Sequence, residues 1–301
     1  MRQKQLRRRA ELLRQVRAFF DARDFLEVET PLLIPSPGLD LHLQAFQVGT
    51  RYLSTSPEYQ MKRLLAEGYE RIYQITRAFR EGEFGSRHNP EFSMLEFYRA
   101  NAGVDDVMKD TEELVEAVTG GEVVLGDRRI DTRAPFARMT VCEAFEAYAK
   151  VTPEETLEMA RSDEDRFFFT LVDQVEPRIA ELDRAVFLTE YPAPQASLAR
   201  KKENDPRVAE RFEAYVAGVE LCNGFGELTD PVEQRARFEQ DQRERKARGL
   251  PVYPIDERFL EALERGMPPS GGNAVGLDRL IAVASGTTEI RNVMAFADDE
   301  L

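Results

Sequence analysis

The chain has 301 residues, 42% hydrophobic and 32% charged, with two cysteines, two histidines and a net charge of −14 at neutral pH. The longest plain apolar run, "LIAVA" at 280–284, is far too short to span a bilayer, and the basic start "MRQKQLRRRAELLRQVRAFF" lacks the apolar core of a signal peptide. Residues 1–24 carry eight Lys/Arg against three Asp/Glu, so the remainder is more acidic still, a poor match for a long phosphate backbone. Cys142 and Cys222 read as reduced cytosolic thiols, and His42 and His88 cannot make a His-rich zinc site.

In chain order, Leu6, Leu12, Leu13, Val16, Phe19 and Phe20 are spaced for one face of a first helix. "FLEVETPLLIP" alternates like a strand limited by Pro31 and Pro35, and residues 40–60 suggest short strands and a turn. "EYQMKRLLAEG" (58–68) reads as a helix closed by Gly68. "RIYQITRAF" (71–79) and "FSMLEFYRA" (92–100) read as two strands joined by a loop of about a dozen residues, a length that is usually functional. Residues 104–119 look helical, and helix-like pieces lie around 141–150 and 170–183. Residues 207–228 suggest a helix start passing into a hairpin that turns at Ala217-Gly218. "DPVEQRARFEQDQRERKARGL" predicts a long charged helix, and "GGNAVGLDRLIAVASG" a Gly-rich strand running into a helix. Antiparallel hairpins alternating with helices predict an α+β fold in a single domain, residues 1–301.

Three segments hold candidate chemistry. "FREGEFGSRHNPEF" (79–92) crowds charge and aromatic surface together: Arg80 can aim at a phosphate, His88 and Asn89 can donate, and Phe92 offers a flat face for a purine. An exposed hairpin tip is an equal reading of that stretch taken alone. In "ERFEAYVAGVELCNGFGEL" the predicted hairpin puts Glu213 and Glu220 on one face, where Mg²⁺ shared with nucleotide phosphates would relieve their repulsion. A solvated sheet face is the plainer reading. In "GGNAVGLDRL", Arg279 sits at a helix start, where anions are favoured.

The order of these segments is more specific than any one of them. "FLEVETPLL", "FR…RHNPEF", "GVELCNGFGEL" and "GLDRL" follow the motif 1, 2 and 3 order of class II aminoacyl-tRNA synthetases, and the chain resembles lysyl-tRNA synthetase most closely, over nearly its whole length. The resemblance implies an antiparallel sheet flanked by helices, a homodimer with Pro31 near its interface, and aminoacyl-adenylate chemistry using ATP and Mg²⁺. It casts Arg80 and Arg279 as catalytic. The ATP site would comprise Arg80, Glu81, Gly82, His88, Asn89, Phe92, Glu220, Leu221, Gly276 and Arg279, and the metal would sit on Glu213 and Glu220. Ser56, Pro57, Glu58, Glu96, Tyr98, Asn223, Glu227 and Ala274 would form a lysine-type pocket.

Some features depart from the synthetases. Motif 1 begins near Asp24, leaving no room for an anticodon-binding domain. Gln195-Ala196-Ser197 stands where synthetases carry Glu-x-Ser-Pro, and Ala274 where they carry Gly. These match the stand-alone lysyl-tRNA synthetase paralogues that attach a β-lysyl group to a lysine side chain of elongation factor P. The expected partners are then elongation factor P and lysine or β-lysine, in the cytoplasm, with neither membrane nor tRNA. A tRNA-charging enzyme and an inactive regulatory paralogue are the alternatives. Arg80-Glu81-Gly82 replaces the usual Arg-Asn-Glu, so Glu81, Glu83 or the backbone must read the adenine in place of the missing glutamate.

Overall fold

The computed structural model describes residues 2–196 and 198–301. Its centre is an eight-stranded sheet: β1 Leu26–Glu27, β2 Arg71–Phe79, β3 Glu91–Ala100, β4 Ala137–Thr140, β5 Val186–Thr189, β6 Arg211–Val216, β7 Val219–Gly226 and β8 Ser270–Gly276. The spatial order is β1-β2-β3-β8-β7-β6-β5-β4. The six central strands are antiparallel and only the edge pairs β1–β2 and β4–β5 are parallel. This is the expected α+β architecture, with β2 and β3 at the predicted positions.

Both faces of this sheet carry apolar side chains, and helices cover both. On one face lie α1 Arg2–Asp21, α3 Val104–Thr119 and the C-terminal α6 Leu277–Ala284. They bury Leu12, Val16, Phe19 and Phe20 of α1 against Tyr73, Leu95, Phe97, Phe212 and Val275 of the sheet. On the other face α2 Glu58–Ala66, α4 Pro231–Ala247 and α5 Glu257–Gly266 enclose a second cluster containing Tyr59, Ile72, Tyr98, Phe225, Phe238 and Phe259. Short helical segments between Val141 and Ala180 pack a third cluster onto Val186, Leu188 and Tyr215 at the β4–β5–β6 end.

Local chemistry explains the boundaries. Helix α3 ends at Gly120 in the left-handed conformation, and α4 is capped by Asp230, which accepts from the Val232 and Glu233 amides. Two expectations change. The segment before Phe212 is not helical: bridges at Val208 and Ala209 lead straight into β6. "FLEVETPLLIP" yields two-residue strands, Leu26–Glu27 and Leu33–Ile34, because its prolines interrupt the ladder. The Ala217-Gly218 turn forms as predicted, with both residues at positive φ (51° and 75°), the twist a two-residue hairpin needs.

Candidate active site

Across the central strands the side chains fall into rows. One row runs Gln74, Glu96, Ala274, Asn223, Glu213, each the direct cross-strand neighbour of the next. The adjacent row on the same face runs Ile72, Tyr98, Gly272, Phe225, Arg211. A bulge between Ala214 and Tyr215 makes this possible: Tyr215 opposes Glu220, yet Glu213 opposes Asn223. The extra residue brings Glu220 and Asn223, three apart in sequence, onto one face. Simple alternation hid that arrangement.

Above these rows lies a cavity of about 190 Å³. Its walls include Ser56, Glu58, Arg80, His88, Asn89, Phe92, Glu96, Glu220, Leu221, Asn223, Ala274, Gly276 and Arg279. These sequence-predicted residues therefore converge. Pro57, Glu81, Gly82, Tyr98, Glu213 and Glu227 do not line it. Pro57 sits at the cap of α2. Gly82 takes φ +84°, which explains glycine there on conformational grounds. Glu81 is exposed, whereas Glu83 lines the cavity and pairs with Arg80 at 3.5 Å. Ser197 lies outside the described residues; Gln195 beside it is buried and donates to the Ala160 carbonyl at 3.0 Å.

One end of the cavity is cationic. Arg80 lies over the Phe92 ring, 5.2 Å from its centroid. Arg279 Nη2 is 2.7 Å from His88 Nε2, and its Nη1 reaches Glu220 Oε2 at 3.3 Å. Burial, and then Arg279, push His88 below its usual range, so the ring is neutral and Nε2 accepts from the guanidinium. Arg87 donates to the Gly218 carbonyl at 2.7 Å, and Asn89 Oδ1 accepts from the Asp298 amide at 2.9 Å, so the loop is tied to distant segments. Asp278 was not foreseen: it lines the cavity, accepts from the Ser93 amide at 2.7 Å and pairs with Arg9 at 2.6 Å. The basic first helix thus spends Arg9 internally.

The other end is anionic. Glu96 is fully buried and accepts from Ser56 Oγ (2.6 Å) and Tyr98 Oη (2.8 Å). Burial, and then Glu58, push its carboxyl up to about 7. Glu227 and Tyr98 lie one layer deeper, where Gly272 is obligatory: a Cβ there would meet the Tyr98 ring at 2.2 Å and Glu227 Oε1 at 2.5 Å. Lys62 also escaped sequence reasoning. Its i, i+4 spacing from Glu58 was the one available signal, and that spacing ordinarily marks an exposed pair. Here Lys62 is fully buried, 2.6 Å from Glu58 and in contact with Glu227.

Between the two ends, Glu220 opens onto the cavity. Its carboxyl is raised by burial and then by Glu213, against Arg279, Arg211 and Arg80. Glu213 is engaged on both oxygens, by Arg211 (2.7 Å), Tyr191 (2.5 Å) and Tyr215 (2.6 Å). Among the described residues no three acidic, histidine or cysteine side chains converge as a ready metal cage.

A sheet whose one face joins arginines to buried carboxylates across strands β2-β3-β8-β7 is the catalytic platform of the class II synthetases. The family model "tRNA synthetases class II (D, K and N)" matches residues 1–300, and the chain belongs to that family. Its similar relatives include proteins named elongation factor P–(R)-β-lysine ligase. The one from Enterobacter sp. (strain 638) is 42% identical over 98% of this chain and 95% of the relative. Those from Edwardsiella ictaluri (strain 93-146) and Proteus mirabilis (strain HI4320) are 44% and 42% identical, over 98% and 97% of this chain.

Proposed function

We propose that the chain is an ATP-dependent ligase that activates (R)-β-lysine, or lysine, as an aminoacyl-adenylate and transfers it to a lysine side chain of elongation factor P. The observation that carries this reading is one cavity that has both an arginine end and a carboxylate end. The first suits phosphates and a carboxylate, the second an aliphatic diamine. Near-full-length similarity to ligases of that name supports it.

In the first step a substrate carboxylate oxygen attacks the α-phosphorus of ATP, and the bond to the bridging oxygen breaks, releasing pyrophosphate. Arg80 is assigned to the charge that grows there and Arg279 to the remaining phosphates. In the second step the neutral acceptor amine attacks the adenylate carbonyl, AMP leaves with the electron pair, and the amine loses a proton. Phe92 offers the adenine its face once Arg80 turns to phosphate, and Glu83 takes over from the missing glutamate as the nearest acidic reader.

The donors suit Mg²⁺: Glu220 is a carboxylate crowded by a second acid and open to the cavity. It would hold the ion mainly with the phosphates, and Glu213 would join by giving up a present partner. Bound there, Mg²⁺ would neutralise developing phosphate charge.

A homodimer is part of the proposal. Leu26, Leu32 and Leu33 are exposed beside Pro31 at the β1 edge, an apolar patch suited to a second copy. No helix among the described residues is long and apolar enough to cross a membrane, and the reading is of a cytoplasmic enzyme.

The deciding experiment incubates the protein with ATP, Mg²⁺, each lysine isomer and elongation factor P, then weighs the acceptor. A mass gain of one lysyl group is expected. Arg80→Ala should abolish pyrophosphate exchange while staying folded; near-normal exchange, or efficient charging of tRNA instead of protein, rejects the reading.

A further inference from the structure

Three carboxylates, Glu58, Glu96 and Glu227, share the anionic end of the site with one cation, Lys62. That lysine has no exposure to solvent. Its ammonium touches both Glu58 and Glu227, and its Nζ lies 6.0 Å from the centre of the Phe225 ring. Glu227 is equally buried; its Oε2 meets the Lys62 ammonium, and its Oε1 receives no hydrogen bond. Oε1 is therefore open as an acceptor, while the charge is held by Lys62 alone among the described contacts. Burying a lysine beside an ammonium-binding pocket looks self-defeating, since it competes with the ligand for the same acids. The charge count resolves this.

We propose that Lys62 is a positioning residue of the amino-acid site: it fixes Glu58 and Glu227 and offsets one of the three carboxylates, so that the pocket with its acids ionised around a ligand carries minus two, matching an amino acid that carries two ammonium groups. This rests on the amino-acid reading of the cavity given above. Three carboxylates without a resident cation would not stay ionised. Buried acids this close raise one another and take up protons. The groups that face one another are Glu58 and Lys62 from α2, Glu96 and Tyr98 from β3, and Glu227 at the end of β7. Burial alone would lower Lys62, but Glu227 and Glu58 overcome it and leave the ammonium raised, so it is a permanent charge at neutral pH. Glu227 is raised by burial and pulled back by Lys62, while Glu58 and Glu96 push it up. Lys62 is therefore what draws Glu227, which lies beneath the cavity wall and is still held up at about 8, toward its charged form. An amino acid with a single ammonium would leave one buried carboxylate uncompensated, and the pocket would reject it.

The test is Lys62→Met, which keeps the length and removes the charge. Binding of β-lysine and α-lysine is measured by calorimetry, and amino-acid-dependent pyrophosphate exchange is followed across neutral pH. The expected result is a KM for the diamine raised about tenfold or more, with kcat less affected. The acidic limb of kcat/KM should move up by about one pH unit or more, because an opposite charge at this range shifts a carboxylate by that amount. ATP affinity should be unchanged. A merely structural lysine would lower stability and leave the limb where it was. If Lys62→Met does not fold, Lys62→Gln, which can still hydrogen-bond either carboxylate, carries the same measurement. An unmoved limb with an unchanged KM in a folded variant overturns the inference and leaves the functional reading intact. Failure of the wild-type protein to bind or activate either lysine overturns both.

Discussion

Glu96 titrates near pH 7 because burial and Glu58 disfavour its charge, yet gripping an ammonium requires that charge. Activation of the amino acid should therefore strengthen as pH rises. kcat/KM is expected to climb as pH rises through 7, with Glu96 and Glu227, raised to about 7 and about 8, titrating in the same range. Glu96→Gln should flatten that limb as well as weaken binding; a retained limb in exchange assays would show that another group titrates. Ala274, directly between Glu96 and Asn223, governs the space beside the substrate's reacting end. A methyl group narrows that space and favours an amino group moved to Cβ. Ala274→Gly should shift the kcat/KM ratio toward α-lysine by the low end of ~1–3 kcal/mol, roughly 10-fold. Exchange kinetics with both isomers check it, and a constant ratio in a folded variant would assign Ala274 to packing alone.

Among the elements, α1 and α6 are pinned together through the site. Arg9 pairs with Asp278 and donates to Ser93 Oγ at 2.8 Å, and Asp278 holds the Ser93 amide of β3. Arg9→Ala strands a buried carboxylate, a change that costs about 3–5 kcal/mol. The low end is expected, since the Ser93 amide remains. Urea unfolding measures that loss, and ATP titration should show weaker binding because Arg279 follows Asp278 in α6. How legible such elements are depends on what sets them. β2, β3 and α3 could be read from alternation, caps and apolar spacing, which are local. β4 and β5 could not: Ala137–Thr140 and Val186–Thr189 are four residues each, and long-range pairing defines them. The site divides the same way. The motif strings gave Arg80, Glu96, Asn223 and Arg279, all on the cavity wall. The bulge that aligns Glu220 with Asn223, and the burial of Lys62, depend on tertiary register and have no local signature.

At the scale of the whole molecule, several acids are held above their ordinary range by burial. Glu176 and Asp241 both reach about 7, like Glu96. Each keeps a proton in the folded chain that it would release on unfolding above about pH 4.3. Their contribution to stability is thus full at low pH and declines as pH rises toward 7, then stays flat. A net charge of −14 adds self-repulsion of the same sign. The melting temperature should be higher near pH 5 than near pH 8. The opposite order would mean these carboxyls are ionised in the folded protein. Catalysis and stability are thus expected to favour opposite sides of neutrality.

The row Gln74, Glu96, Ala274, Asn223, Glu213 draws one residue from each of five strands, which lie in three separate stretches of the chain: the β2–β3 hairpin, the β6–β7 hairpin and β8. Recognition is therefore written across the polypeptide and not along it. In a saturation scan, tolerance plotted against residue number would show isolated, period-two spikes in three separate stretches. Plotted by strand position, the same spikes would collapse into one transverse stripe. Paralogues with new substrates can arise by rewriting that stripe, letter by letter, while the connecting loops and the opposite face go untouched.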